Sequence, residues 1–379
     1  MTPSGSTAAP SPRALTLAIT SRCALRCRHC LVESGPGAGP GDVPLARCLA
    51  VVRELAALGG EEIWLTGGEP MLHAAWGEIL AHCGPQRFRT VGLQTSGHLL
   101  GEDQVATLRD LSLEGLRVEV SLDGASQRSH DLVRGPGTFR RALDGIHRMA
   151  RAGMAGRVVV AFTEMRHNLA ELPQLLDLAD GLGLQGVRSS TLLRGGRAAG
   201  GGQVEPPAPE QVQALLARYH GDGAFRALYD ELGRAPAIEW WKGRGHRGGE
   251  GCLPGERPYL AADGTLYPCA LSRAAETAVE GALEGPLSAS LAVARGRWGA
   301  LRARCAGLAS PPAACRACPA RSSCAGGCPA RSGADGGSPL GPEDRCDLRR
   351  AVHGWEGPDG VAAAPSRSPF ADPPGGFPC

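Results

Sequence analysis

Between residues 14 and 193 the chain repeats one pattern. A short apolar run of strand character is followed by a polar turn and then by apolar residues at helical spacing. "ALTLAIT" (14–20), "EEIWLTGG" (61–68), "RTVGLQTSG" (89–97), "LRVEVSLDG" (116–124), "RVVVAFT" (157–163) and "GVRSSTLL" (186–193) read as strands. The segments 44–59, 73–84, 103–111, 138–153 and 168–183 read as helices, the first with Asp42 placed as its cap and Gly59 as its stop. Strand–helix units in series imply parallel strands joined by right-handed crossovers, hence an α/β fold. Chemistry in such folds gathers at the carboxyl ends of the strands. That rule puts 23–30, 66–70, 94–97, 121–124 and 194–197 around one mouth.

The flanking segments differ in composition. Residues 1–13 read as a disordered Ser/Pro/Ala leader, 14–200 as the core, 201–250 as a connector with helix at 211–233, 251–348 as a cysteine-rich domain, and 356–379 as a disordered Pro/Gly tail. A net charge of +2 gives no bulk electrostatic case for nucleic acid or a membrane surface as partner. No run approaches the roughly 20 apolar residues of a span, and the start has no secretory h-region. The expected compartment is the cytoplasm. Fourteen cysteines in a large chain of that compartment favour metal or redox chemistry over disulfides.

Cys23, Cys27 and Cys30 stand at C-x3-C-x2-C just after the first strand. A closed structural zinc site uses four ligands, typically in C-x2–4-C pairs. His29 is badly placed as the fourth, because it adjoins Cys30. Three cysteines on one loop instead suit three irons of a [4Fe–4S] cube, with one iron left open for a ligand. "TGGEP" (66–70) follows the second strand. Gly67 and Gly68 let a ligand approach the backbone closely, and Glu69 offers a carboxylate to a cation such as an ammonium. Alone, GGEP also fits a plain turn; in the same mouth as the triad it points to a site.

The triad and GGEP together resemble the radical S-adenosylmethionine (radical SAM) superfamily over roughly residues 14–200. The resemblance implies a partial (β/α)6 barrel. It implies that Cys23, Cys27 and Cys30 ligate a [4Fe–4S] cluster whose open iron holds the amino and carboxylate groups of SAM. Gly67, Gly68 and Glu69 then help hold the SAM amino group. Ser96 in "QTSG" occupies the place of a frequent Asn. Ser121 and Asp123 in "SLDG" match a segment near the SAM ribose, and Arg134 matches a position that helps bind the SAM carboxylate. No catalytic residue beyond the cluster is assigned. His29 departs from the family, which frequently has an aromatic there that packs near adenine; stacking remains open to it.

A second set follows: Cys252, Cys269, then Cys315, Cys318, Cys324 and Cys328 at C-x2-C-x5-C-x3-C, and Cys346. Read alone, part of it fits a zinc ribbon. As a whole it resembles the SPASM extension of radical SAM enzymes, which carries one or two auxiliary iron–sulfur clusters. Carried over, Cys315, Cys318, Cys324 and Cys346 ligate the outer cluster, and Cys252, Cys269 and Cys328 the inner one. The inner set is one ligand short; Cys305 is the spare thiol, with a small buried hydrophobe in a helix as its plain reading. Cys48 and Cys83 read as core. "EWWKGRGHRGG" (239–249) reads as a solvated linker or a lid.

The resemblance implies a maturase that modifies a peptide or protein side chain and draws one electron from a reductant such as flavodoxin or ferredoxin. A dehydrogenase or epimerase acting on a sugar, aminocyclitol or antibiotic intermediate is the alternative. A zinc-stabilised scaffold would leave GGEP and the open triad without a purpose.

Overall fold

The computed structural model describes residues 12–202, 204–243, 254–305, 312–324, 327–334 and 337–355. Six parallel strands follow one another as expected: β1 Ala14–Thr20, β2 Glu62–Gly67, β3 Thr90–Thr95, β4 Leu116–Ser121, β5 Val158–Glu164 and β6 Gly186–Thr191. Three two-residue strands extend them: β7 Gly233–Arg234, β8 Tyr259–Leu260 and β9 Leu266–Tyr267. The sheet runs β7-β6-β5-β4-β3-β2-β1-β8-β9, and only the β8–β9 pair is antiparallel. The cysteine-rich segment thus adds two strands to the edge formed by β1.

The crossovers contain α1 Leu45–Ala57, α2 Trp76–Cys83, α3 Glu102–Asp110, α4 Gln127–Arg134, α5 Thr138–Arg151 and α6 Leu172–Gly181. Beyond the core lie α7 Pro209–Gly221, α8 Gly223–Leu232, α9 Pro236–Trp241 and α10 Leu287–Arg297. Alternation along each strand decides the layers. Leu15, Leu17, Ile63, Leu65, Val118, Val120, Val158 and Val160 join one core with Val51, Leu55, Ile146 and Leu176 of the helices, as do Cys48 and Cys83. The opposite face lines the interior and is polar. There Gln94 donates to Glu119 at 3.2 Å, and Arg188 contacts the same carboxylate at 3.4 Å.

Two expectations need correction. Pro44, not Asp42, holds the N-cap place of α1 and makes no side-chain cap. Asp42 instead accepts from Thr20 Oγ1 at 2.7 Å and from Arg22 at 2.6 and 2.9 Å, which fastens the segment ahead of α1 to the end of β1. The stretch 239–243 is not a solvated linker. Trp240 lies under Arg345 and Arg349, and the ammonium of Lys242 is buried against Asp230 and the rings of Tyr219 and Tyr229. The remainder, 244–249, lies outside the described residues, as do Cys252, residues 1–11 of the expected leader and the tail from 356 onward, whereas Arg13 at the leader's end is ordered, its N–H donating to Glu256 O at 2.9 Å and its guanidinium to Glu61 at 3.1 Å.

Candidate active site at the carboxyl ends of the strands

The cysteine loop springs from β1 and is held by its neighbours. Cys23 N–H donates to Gly35 O at 3.4 Å, Arg28 N–H to Val133 O at 2.8 Å, and Cys30 N–H to Cys27 O at 3.2 Å. Arg197, in the turn after β6, donates to the carbonyls of Cys27 (2.8 Å) and Ser34 (2.7 Å). Cys23 and Cys27 are buried and Cys30 partly so. Burial pushes the Cys23 thiol up to about 11, and Cys27 and Cys30 add to that. Burial also raises Cys27, against the pull of Arg134 and Arg197. The three thiols therefore feel one another across a single loop. Among the described residues no three His, Cys, Asp or Glu side chains are gathered as for a single ion.

Gly67 and Gly68 bring β2 against the root of this loop. Gly67 has φ 141°, and a Cβ there would stand 2.1 Å from Thr20 O; one on Gly68 would stand 2.1 Å from Arg22 O. Their amide neighbours exploit the approach: Gly68 N–H donates to Thr20 O at 2.9 Å and Glu69 N–H to Arg22 O at 2.8 Å. The close approach expected here is made by backbone.

Glu69 is fully buried. Its carboxylate accepts from Thr95 Oγ1 at 2.7 Å, Ser96 N–H at 2.9 Å and Ser96 Oγ at 2.5 Å. Ser96 Oγ gives its hydrogen to Glu69, so the 2.5 Å contact with His98 Nδ1 is donated by the imidazole. His98 Nε2 is then a bare acceptor, buried without a partner. Burial lowers the His98 pKa, against the attraction of Glu69. Among the described residues no lysine or arginine pairs with Glu69.

Opposite, Asp123 accepts from Arg134 Nε (2.6 Å), His29 Nε2 (2.9 Å) and Thr163 N–H (2.8 Å). Burial works to raise the Asp123 pKa, but Arg134 and His29 outweigh it and hold it well below the usual carboxylate range. Asp123 is thus spent inside the protein; it holds Arg134, whose pKa burial works to lower and Asp123 raises, with Cys27 and Cys30 adding to the rise. His29 is not an unattached ring: it ties the cysteine loop to α4 and the end of β4. His130 Nδ1 accepts from Asp123 N–H at 3.0 Å, and Asn168 donates to Asp123 O at 3.1 Å. Ser121 is half-buried at the end of β4, in register with Ala161 of β5.

Sequence reading missed His98, Arg197, His130 and Asn168. His98 lies two residues beyond Ser96 and was within reach. A lone arginine in a Gly-rich turn such as Arg197 has no spacing that marks it.

The later cysteines fall into two neighbourhoods. Burial pushes Cys346 up to about 11, with Glu343, Cys324 and Cys315 adding to it, and Asp347 raises the Arg350 pKa with Cys318 and Cys346 adding to it. Burial pushes Cys269 up to about 12, with Cys328 adding to it. Cys305 ends the helix Gly299–Cys305.

Residues 17–179 match the profile described as "Radical SAM superfamily". Mycofactocin maturase MftC of Mycobacterium tuberculosis is 31% identical over 208 residues, 54% of this chain and 51% of that protein. AdoMet-dependent heme synthase of Methanosarcina barkeri is 31% identical over 203 residues, 53% and 57% of the two chains. Sporulation killing factor maturation protein SkfB of Bacillus subtilis is 28% identical over 274 residues, 71% and 62%. The chain thus spans about half the length of the first curated relatives it matches. Two solved structures share the fold at 14% identity: Streptococcus suis SuiB bound to S-adenosylmethionine, with TM-score 0.67 over 89% of this chain and 77% of that one, and anSMEcpe with bound AdoMet, with TM-score 0.70 over 90% and 97%. No described helix is long and apolar enough to cross a membrane. The profile match runs through the cysteine loop and GGEP, so residues 17–179 of this chain carry a radical SAM domain.

Proposed function

We propose that this chain is a peptide maturase: it cleaves SAM reductively, removes a hydrogen atom from a peptide or protein side chain, and passes an electron to auxiliary clusters. The observation that carries the reading is the pairing of three neighbouring thiols on one loop with Glu69, a buried carboxylate that accepts from hydroxyl and amide groups and, among the described residues, has no guanidinium or ammonium partner. That donor set fits a [4Fe–4S] cluster with SAM, whose ammonium supplies the cation Glu69 lacks. When bound, a reduced cluster and SAM supply a 5′-deoxyadenosyl radical able to abstract hydrogen.

The chain's own residues do the positioning. Cys23, Cys27 and Cys30 ligate the cluster. Gly67 and Gly68 set the height of Glu69 over the loop, and Ser96 and His98 hold its carboxylate in line. Arg134, held by Asp123, would bind the SAM carboxylate, and Ser121 would help hold the ribose. The grouping of Cys315, Cys324 and Cys346, with Cys318 at Arg350, supports the outer auxiliary cluster. The pairing of Cys269 with Cys328 supports the inner one, with Cys252 as its third ligand. The domain limits stay at 14–200 for the core and 251–348 for the SPASM extension. The reductant is a flavodoxin or ferredoxin, and the compartment is the cytoplasm.

A peptide substrate is favoured by the reach of the SkfB alignment, 71% of this chain, against 53% for the heme synthase. The heme synthase match keeps a small-molecule substrate as the second reading. Anaerobic purification is expected to give brown protein with roughly eight to twelve irons per chain. Replacing Cys23, Cys27 and Cys30 together by Ala is expected to abolish 5′-deoxyadenosine formation and leave the auxiliary iron. Colourless protein with stoichiometric zinc overturns the reading. Stimulation of 5′-deoxyadenosine formation by a short peptide encoded beside the gene supports a peptide substrate; stimulation only by a sugar or tetrapyrrole overturns it.

A further inference from the structure

The turn after β6 is held from two sides, and its holders come from different parts of the chain. β7 pairs only with Val187 and Arg188 of β6. Further along the strand, Arg331 of the four-residue helix Pro329–Ser332 reaches in and donates to the carbonyls of Thr191 and Leu192. Arg331 is buried, and Asp344 fixes its guanidinium at 2.9 and 3.0 Å. At the other end of the turn Arg197 donates its amide to Cys30 O at 3.2 Å and its guanidinium to the carbonyls of Cys27 and Ser34.

Between the two arginines the turn has no slack. A Cβ on Gly196 would stand 2.5 Å from Cys30 O and 2.6 Å from Leu31 O. One on Gly195 would stand 3.0 Å from Leu31 Cδ1 and 3.8 Å from both the Cβ and the carbonyl oxygen of Ala334. The contacts are therefore continuous. They run from Arg331 and Ala334 of the cysteine-rich segment, through the turn 191–197, to Cys27, Cys30 and Leu31 of the first cysteine loop. Close-packed groups pass a displacement on instead of absorbing it. The first loop is irregular and has no ladder of its own, so its shape depends on what grips its carbonyls from outside.

Resting on the reading of Cys23, Cys27 and Cys30 as cluster ligands, we infer that Arg331 is a positioning residue for the first cluster: it acts through the turn 191–197 and fixes the loop that carries those cysteines. The cysteine-rich segment then does more than carry ligands of its own. The first loop reaches its ligating shape only when residues 329–334 are seated against the turn. The radical-forming centre is thus completed only in a chain whose last domain has folded. Damage to that domain reaches the first cluster with every residue around the cluster unchanged. Such coupling needs an unbroken physical network, and each link of this one is a direct contact.

The test is hydrogen exchange read by mass spectrometry. It uses the full chain, reconstituted anaerobically, with Cys23, Cys27 and Cys30 replaced by Ala so that only protein holds the first loop. In that background Arg331→Met is expected to speed exchange several-fold in 191–198 and in 23–34. Arg331→Lys restores part of the protection in both segments together. Arg257→Gln loosens the same domain at the other side of the sheet, at Glu62, and is expected to leave 23–34 unmoved. Arg331→Met added to Arg197→Ala is expected to change 23–34 no further than Arg197→Ala alone, since both act on one path. With the three cysteines restored, Arg331→Met is expected to hold several-fold less iron at the first cluster. Unmoved exchange in 23–34, an equal effect of Arg257→Gln, or additive effects in the double variant overturns the inference. If Arg331→Met does not fold, Gly195→Val replaces it: the backbone there is extended, with φ −159° and ψ 166°, and the new bulk enters between Leu31 and Ala334. Unmoved exchange in 23–34 overturns the inference there too. Coupled exchange in a protein that binds no iron through Cys23, Cys27 and Cys30 supports the clamp and overturns the ligand reading, so the two failures separate.

Discussion

At the scale of single residues, Gly68 is as tight a point as Gly67. A methyl group there meets the Arg22 carbonyl at 2.1 Å, and that oxygen belongs to backbone with no side chain to swing aside. Gly68→Ala is expected to destabilise the protein by about 3 kcal/mol or more and to lower iron at the first cluster, read from the unfolding midpoint and iron per chain. Asp123 and His130 set the acid response. Asp123 has a depressed folded pKa, so its contribution is complete above about 4 and is lost as pH falls through the folded value. Burial lowers His130 to about 4, so the folded state resists its protonation, and stability falls as pH drops from about 6.5 to about 4. Wild type should therefore lose stability in two stages on acidification. Asp123→Asn should lose about 3–5 kcal/mol at pH 7, because it strips Arg134 of its partner, and should flatten the lower stage. His130→Gln should flatten the upper one. Urea midpoints from about pH 2 to about pH 8 check both. The cysteines and Glu69 were legible because their chemistry and spacing lie within a few residues of one another. The partner of His29 was not, since Asp123 is 94 positions away and only the fold brings them together. The glycines were expected to admit a ligand; what the structure brings close to them is the backbone of Thr20 and Arg22.

At the scale of elements, the six strands were legible from alternation and apolar runs, although β3, β4 and β6 stop short of the expected ends. Their last expected residues turn away to build the mouth. Helix α4 was missed. Its eight residues are mostly polar, so periodicity gives it little contrast, yet Ser126 caps its start by accepting from Ser129 N–H, and Gly135 ends it. It delivers Arg134. The turn after β6 does similar work through Arg197, which holds two carbonyls of the cysteine loop. Arg197→Ala should leave the loop under-held. The expected outcome is a several-fold loss of iron at the first cluster with auxiliary iron unchanged, together with faster proteolysis within 23–34. Iron assays against the Cys23, Cys27, Cys30 triple variant, and mass spectrometry of the cleavage products, check it.

At the scale of the whole molecule, the cysteine-rich segment is joined to the core at both sides of the sheet. Arg331 grips carbonyls beyond β6, and Arg257, just ahead of β8, pairs with buried Glu62 of β2 at 2.8 and 3.2 Å. Arg89 meets the same carboxylate at 2.5 Å. Burial works to raise the Glu62 pKa, but Arg257 and Arg89 lower it overall. Glu62→Gln should cost about 2–4 kcal/mol and speed hydrogen exchange at Tyr259 and Leu260 before it touches β3 to β5. Nothing in the sequence signalled this joint, because two-residue strands carry no readable pattern. Its consequence reaches back to synthesis. β8 is the far-side neighbour of β1, and about 240 residues separate them. At about 5–20 residues per second, the outer edge of β1 stays uncovered on the ribosome for about 12–50 s. An open strand edge recruits other strands. The vulnerable interval of this protein is therefore set by translation speed, and slowing codons between residues 68 and 258 should raise aggregation without changing one amino acid.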